Sequence, residues 1–348
     1  MTLHLQADTG FSTQTAAEQL RALLHDVAIG PIDDLGWIRV SGDDRTRWLN
    51  GMVTNSILDL KSDLAVGVGC YNFILSAQGR IQGTAYAFAQ RDSILLETDR
   101  AQLAPLMATF DRFIIMDDVE LTDVTATWIG VRVIGPRAVP LLQQIGLSLT
   151  ETGPLSFQTI AWQGANVTVI HAHSPLVPQL ELWSDSTTVA SLTHALTTAG
   201  AESCGSQAIE WLRLLEGTPR YGVDIRDREL PQETSQTRAL HFSKGCYLGQ
   251  EIVERIHSRG NVHRTFTGFR VQGPLPAAGT PIAAEGKQIG ELTSTATIPL
   301  ATGTLQIGLG YIRRDVLDRA LPLTYQVTST GGSQSGAISA ASLPFKDF

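Results

Sequence analysis

A single cysteine set between glycines and next to a lysine, in Lys244-Gly245-Cys246-Tyr247-Leu248-Gly249-Gln250-Glu251, is the part of this chain best equipped for chemistry. A structural cysteine normally sits in an apolar run, and this one does not. A thiolate is stabilised by a nearby cation, by exposed backbone N–H groups and by a helix N-terminus. Lys244 offers the cation, and Gly245 and Gly249 let the main chain come close to a ligand. Downstream, Glu251-Ile252-Val253-Glu254-Arg255-Ile256 spaces charged and apolar residues as a helix does, which puts Cys246 at a loop-to-helix junction. The residue chemistry therefore reads Cys246 as a functional thiol and Lys244 as its activator. Tyr247 is a candidate for stacking or hydrogen bonding at a cavity wall, and Gln250 and Glu251 for orienting a ligand or the loop. The plainer alternative is a buried cysteine in a tight turn.

Composition narrows the functional classes. The chain has 348 residues, more than one ordinary core accommodates, so two to three domains are expected. Lys and Arg number 26 against 34 Asp and Glu, a net charge of −8, which argues against a broad duplex-binding face. A local positive pocket is still compatible with that count, with Arg255, Arg259, His263 and Arg264 as its candidates and a solvated helix face as the alternative. No run approaches the ~18 apolar residues of a membrane span. The first residues carry neither a signal-peptide pattern nor an Arg-rich transit pattern, so a cytoplasmic protein is expected. The three cysteines, Cys70, Cys204 and Cys246, have no metal-ligand or disulfide-framework spacing. His171 and His173 share a strand face but lack an adjacent acidic or cysteine partner, so no metal site is assigned.

The elements that must position the cysteine follow from periodicity. Thr15 to His25 reads as an amphipathic helix ended by Gly30-Pro31, and Trp37 to Val40 as a strand. Asp43 or Asp44 is expected to cap a short helix that Gly51 terminates. Val68 to Leu75 and Ile81 to Ala89 form a hairpin, continued by Ser93 to Thr98, and Asp99 caps a helix to about Phe113. A second unit of similar texture starts near Val119. It contains strands at Val131 to Ile134, Val167 to Ile170 and Leu180 to Trp183, then a helix capped by Asp185 or Ser186 and running to Ala199, and another from Gly205 to Glu216 stopped by Gly217 and Pro219. After Thr265 short alternating runs rich in Gly, Pro and Thr read as a small β-barrel, and the residues from Gly331 as a flexible tail.

Several blocks of this sequence, in order, resemble the YgfZ family, folate-binding relatives of the glycine-cleavage T protein. Besides the cysteine run and the Gly260-Asn261-Val262-His263-Arg264 segment, they are Ser41 to Asn55, Ser76 to Ile81, Gly217 to Ile225 and Leu230 to Thr234. The resemblance implies an α+β fold of three units in a ring around a folate channel. Its expected divisions are residues 1–118, residues 119–264 ending in the cysteine motif, a barrel at 265–330 and a tail at 331–348. It implies tetrahydrofolate or another reduced folate as ligand. Glu216 lies near the family's pterin-binding glutamate, one residue out of register in Arg213-Leu214-Leu215-Glu216-Gly217. Trp37 and Trp211 fall two residues from its folate-contacting tryptophans, with the core as their alternative place.

By the same resemblance, the expected role is an accessory one: support of iron–sulfur client or assembly proteins, including enzymes that modify tRNA. Cys246 would serve a cluster, a partner or a one-carbon adduct. The rival reading is a tetrahydrofolate-dependent one-carbon transferase or demethylase, with Cys246 as nucleophile and His241, His257 or His263 as base. T proteins carry an aspartate after the hairpin turn, where this chain has Gly79-Arg80-Ile81-Gln82-Gly83-Thr84, which argues against aminomethyl transfer by the T-protein route.

Overall fold

Local signals account for the start and stop of several elements in the computed structural model, which describes residues 14–60, 66–150, 153–260, 262–329, 332–346 and 348. Helix α1 (Ala16–His25) begins at Thr15, whose hydroxyl accepts the Glu18 N–H while the Glu18 carboxylate accepts the Thr15 N–H. That reciprocal pair satisfies donors a helix start leaves free. Asp185 does the same work alone for α5 (Ser186–Thr198), accepting from the N–H groups of Thr187 and Thr188.

Two sheets and a barrel are built from the strands. The first sheet contains β2 (Leu35–Ser41), β4 (Cys70–Leu75), β5 (Ile81–Ala89), β6 (Ile94–Asp99) and β7 (Glu120–Asp123), in the order β4-β5-β6-β2-β7. Helices α2 (Arg45–Met52) and α3 (Leu103–Asp111) cover one of its faces with Trp48, Leu49, Leu106 and Phe110. The second sheet contains β1 (Ala28–Ile32), β3 (Val66–Val68), β8 (Ile129–Ile134), β9 (Ser156–Trp162), β10 (Ala165–His171), β11 (Gln179–Ser184) and β12 (Glu202–Ser203). Their order is β12-β1-β8-β11-β10-β9-β3, and α4 (Ala138–Gln144) packs with α5 on its outer face. The inner faces of the two sheets meet in an apolar cluster that includes Trp37, Phe88, Leu95, Ile170 and Trp183.

Beyond α6 (Ser206–Glu216) and α7 (Gln250–Arg259), six strands close a barrel in the order β13-β16-β15-β14-β17-β18. They are β13 (Arg264–Gln272), β14 (Pro281–Ala284), β15 (Lys287–Leu300), β16 (Gly303–Arg313), β17 (Leu323–Ser329) and β18 (Gly332–Ala341), with α8 (Arg314–Asp318) after β16. Helices α1 and α6 share one core with the barrel, through Leu20, Leu23, Leu212 and Leu215 against Ile298, Ile307 and Tyr311.

The structure divides the chain differently from the sequence expectation in two places. Residues 16–32 and 66–68 do not belong with the first unit, because β1 and β3 hydrogen-bond into the second sheet. Gly30 and Pro31 lie inside β1 and do not stop a helix. Pro31 is tolerated there because the parallel partner β12 pairs only with Ala28 and Ile29, so the missing N–H is not needed on that side. The expected flexible tail instead supplies β18, which pairs with both β17 and β13 and seals the barrel. Unpaired edges of β13 and β17 would otherwise remain. Two local expectations also change. Gly51 lies within α2, and the Asp44 carboxylate makes no capping bond, being used by the Asp118 N–H and by Arg47.

Candidate functional site

The segment 50–55, which spans the end of α2, is a ledge of backbone carbonyls on which the later part of the chain hangs. The Lys244 ammonium donates to the carbonyl oxygens of Asn50, Val53 and Asn55 at 2.7, 2.7 and 2.6 Å. The Leu248 N–H reaches Gly51 O at 3.0 Å, and the His241 N–H reaches Thr54 O at 3.2 Å. Thr54 Oγ1 donates to Ala239 O, and Asn55 Nδ2 donates to Arg238 O. All three ammonium protons are thus spent on carbonyls, and burial pulls the Lys244 pKa down to about 8. This corrects the expectation that Lys244 activates the thiol. Its charge is committed to holding the loop in place, and its ammonium also lies 5.0 Å from the centre of the Tyr247 ring.

Two glycines then fix the loop's other side. Gly249 has φ +83°, and a Cβ there would meet Ser76 O at 2.6 Å. Gly79, in the hairpin turn between β4 and β5, has φ +70°, and its Cβ would meet the Ile252 Cβ at 2.7 Å. Turn and helix start therefore interlock without side chains between them. The close approach at Gly249 is to this hairpin and not to a ligand. Cys246 ends up exposed, at the loop that leads into α7, while Tyr247 is buried among Tyr71, Phe73, Leu75 and Val253. Gln250 turns its Oε1 to the Tyr247 N–H, and Glu251 and Arg255 are exposed on α7.

A cavity of about 400 Å3 opens where α6 ends, between the loop after β10, residues 235–238 and the barrel. Glu216, His173 and Arg238 line it, with Phe266 and the chain-terminal Leu343 and Pro344. Gly217 ends α6 with φ +68°, and a Cβ there would lie 2.4 Å from Leu343 Cδ2, so glycine lets the C-terminal segment close under the helix end. Glu216 accepts a hydrogen bond from the Ser174 hydroxyl, and burial pushes its carboxyl up to about 7. Burial, together with the Arg238 charge, pulls His173 down to about 4, so it is neutral at pH 7.

Arg238 links this cavity to a neighbouring one of about 180 Å3 lined also by Asp99, Arg213 and Arg220. Its guanidinium lies 4.2 Å from the centre of the Tyr71 ring and donates to Tyr86 Oη at 3.1 Å and Gln236 Oε1 at 3.1 Å. Its Nη1 is buried and has no hydrogen-bond partner among the described residues. A cation stacked on tyrosines with a spare donor suits an anionic or carbonyl-bearing ligand.

The sequence-predicted residues thus fall into separate groups. Glu216 lines the cavity. Tyr247, Gln250, Glu251 and Arg255 are absent from its lining and belong to the cysteine loop and α7. Trp37 is fully buried between the sheets, edge-on to Trp183 at 5.1 Å, which makes it a core residue and not a folate wall. Trp211 packs against the core shared by α6 and the barrel. The expected positive pocket at Arg255 to Arg264 does not form, because Arg264 is paired with Glu233 while Arg255 and Arg259 face solvent. Sequence reasoning missed Arg238, whose neighbours in sequence give no signal, and set aside His173. Of the three histidines weighed as bases, His241 and His257 have side-chain partners, and His263 is tied down through its main chain. His241 faces Asp59 at 3.5 Å, His257 stacks on Phe242 at 3.8 Å, and the His263 backbone carbonyl accepts from Arg314. Among the described residues no cluster of His, Cys, Asp and Glu could hold a metal ion, and no helix is long and apolar enough to cross a membrane.

Two sheets with helices on their outer faces, followed by a closed barrel, define an aminomethyltransferase-like architecture. The aminomethyltransferase T of the glycine cleavage system from Bartonella henselae superposes with a TM-score of 0.82 at 18% identity, over 95% of this chain and 89% of that one. The chain belongs to the family of the GCVT N-terminal domain, whose model matches residues 7–244, and the CAF17 C-terminal beta-barrel domain matches residues 264–334. These two matches bear out the resemblance to the YgfZ group. Among curated proteins it is 26% identical over 299 residues to a chloroplastic protein of Arabidopsis thaliana named as a transferase, covering 85% of this chain and 68% of that one. It is also 26% identical over 344 residues to the aminomethyltransferase of Rubrobacter xylanophilus, covering 94% and 89%.

Proposed function

We propose that this chain binds tetrahydrofolate or another reduced folate in the Glu216 cavity and serves, through Cys246, as a cytoplasmic accessory factor of iron–sulfur proteins, among them tRNA-modifying enzymes. The observation that carries the folate half is that Glu216 and the spare donor of Arg238 share one cavity. A pterin presents adjacent N–H donors on one edge, an aromatic plane and a carbonyl, and it continues into a dicarboxylate tail. Glu216 is the acceptor for the N–H edge. Arg238 meets the carbonyl or the tail, while Arg213 and Arg220 in the adjoining cavity are paired with Glu210. Cys246 rests on a different support: it is the exposed thiol of the three, on a loop fixed from both sides, where a partner or a cluster can reach it.

The second reading, aminomethyl transfer, is favoured by the names of the relatives. Against it, β5 carries no carboxylate along Ile81–Ala89, and Thr84 stands in the hairpin strand. Thr84 is already engaged there, its N–H donating to Gln102 Oε1 and its carbonyl accepting from Thr98 Oγ1. The test is calorimetric titration of the full chain with tetrahydrofolate. Saturable binding that Arg238→Ala weakens by about tenfold or more supports the site. Binding untouched by both Arg238→Ala and Glu216→Gln places folate elsewhere. Turnover of an aminomethylated carrier by the wild type would favour the second reading.

A further inference from the structure

Among the described residues no large apolar side chains stand further out than Ile115 and Met116, 83% and 94% exposed, and Phe113 joins them at 40%. They lie in the loop between α3 and β7, which other parts of the chain hold at both ends. At its start the Phe113 carbonyl accepts from Trp48 Nε1 at 3.1 Å. Near its end Asp118 is pinned by residues 42–44. Its N–H donates to Asp44 Oδ2 at 2.9 Å, while its carbonyl and its carboxylate accept the N–H groups of Asp44 and Asp43, each at 3.1 Å. Gly42 has φ +96°, and a Cβ there would lie 2.1 Å from Asp118 O, so this grip requires glycine. A fixed backbone with apolar tips outward is a knob preorganised for contact, and little ordering entropy is lost when it is covered.

The knob belongs to the end of the molecule that carries the cysteine loop. Ile114, inside the knob, and Leu248, two residues after Cys246, pack on the same cluster with Trp48 and Leu49. In the approach to the cysteine loop His241 faces Asp59 at 3.5 Å, and their chain neighbours Phe242 and Leu58 are exposed too. Five of the eight exposed large apolar side chains among the described residues are thus gathered here, and grouping of that kind marks a contact surface. Its charges select what covers it. Arg47 is taken by Asp44 and Asp117, and Arg112 turns back on its own helix, donating to Ala108 O and Thr109 Oγ1. Asp43, Asp111, Asp118 and Glu120 are exposed and have no ion-pair partner among the described residues. A rim of this sign argues against an anionic lipid surface and against a symmetric pair of knobs, since each would bring like charge to it.

We propose that the knob is a docking surface for a protein partner that presents an apolar socket rimmed by lysine and arginine, seated at the end of the molecule where Cys246 is exposed. Ile115 and the adaptable Met116 fill the socket, and the carboxylates meet its rim. The proposal rests on the reading of Cys246 as a partner-facing thiol only for what the docked partner does there. The docking itself is carried by the knob and its charges.

The probe is a fluorescent helical peptide of leucine and lysine, its leucines on one face, titrated with the full chain and read by anisotropy. Saturable binding that weakens as salt rises is expected. Ile115→Ser with Met116→Ser should weaken it by about tenfold or more at an unchanged melting temperature, since both side chains are exposed. The same peptide with glutamate in place of lysine should bind about tenfold more weakly or worse. No saturable binding, equal binding of the two peptides, or unchanged affinity in the double-serine variant overturns the proposal. So does self-association of the chain that the double variant abolishes, which makes the knob a contact between copies, or knob-dependent binding to phosphatidylglycerol vesicles, which makes it a membrane contact. Cys246→Ser should leave peptide affinity unchanged, so failure of the thiol reading and failure of this one are told apart.

Discussion

The cysteine loop hangs on the carbonyls of residues 50–55 and the Glu216 cavity touches the same segment through Asn55 and Arg238, yet the two are made in opposite ways. The loop is contiguous, Lys244 to Glu251, and its functional atom is exposed. The cavity draws Glu216 from the end of a helix, His173 from the loop after a strand and Arg238 from a single 3-10 turn, and it is burial that moves Glu216 and His173 away from their ordinary ionisation. An exposed thiol gets its chemistry from accessibility. A buried carboxyl gets it from desolvation, and the two should respond differently to mutation and to pH.

The largest expected separation is functional. Cys246→Ser should abolish the rescue of iron–sulfur-dependent tRNA modification in a strain lacking this protein, while folate affinity and melting temperature stay unchanged. A hydroxyl is neither a soft ligand nor a redox-active thiol. Full rescue by the serine variant would remove the distinction between the two regions and leave the cavity alone as the functional site.

Next in size is thiol reactivity. Burial pushes Cys70 up to about 11 and Cys204 up to about 12, so at pH 7 Cys70 should hold about a hundredfold and Cys204 about a thousandfold less thiolate than an ordinary exposed cysteine. Brief alkylation followed by mass spectrometry should label Cys246 first. Faster labelling of either buried cysteine would show that the loop is not the reactive thiol.

Folate binding should carry the pH signature of the other region. With Glu216 raised to about 7, an N–H-donating ligand meets more carboxylate as pH rises, so affinity should climb up to about tenfold per pH unit below 7 and level off above it. Glu216→Gln should flatten that profile. Stability of the empty protein runs the other way. The folded carboxyl holds its proton more tightly than the unfolded one, so this contribution is full below about 4.5 and is lost as pH rises through about 7.

The smallest effect sharpens the role of Lys244. Lys244→Met strands three carbonyls, those of Asn50, Val53 and Asn55, and should cost about 2–3 kcal/mol in urea denaturation. Unchanged stability with slower alkylation of Cys246 would return Lys244 to the activator role that its geometry argues against.

What the sequence alone determined is what lies along the chain: the cysteine run before a helix, the hairpin at Ile81, the cap at Asp185, the left-handed stop at Gly217 and the barrel texture after Thr265. These depend on spacing, on hydrogen bonds a few residues long and on glycine's freedom at positive φ, all of which a linear string records. The family blocks gave the architecture, and Glu216 with it. Tertiary structure decided which sheet β1 and β3 join, that residues 332–341 seal the barrel, and that the lysine beside the cysteine faces carbonyls contributed about 190 residues earlier. It decided too that Arg238 is the cation of the cavity and that burial lifts the facing carboxyls of Glu97 and Glu181 above the usual carboxylate range. Strand pairing partners, desolvation and the meeting of distant charges depend on distances through space, and only the packed fold sets those.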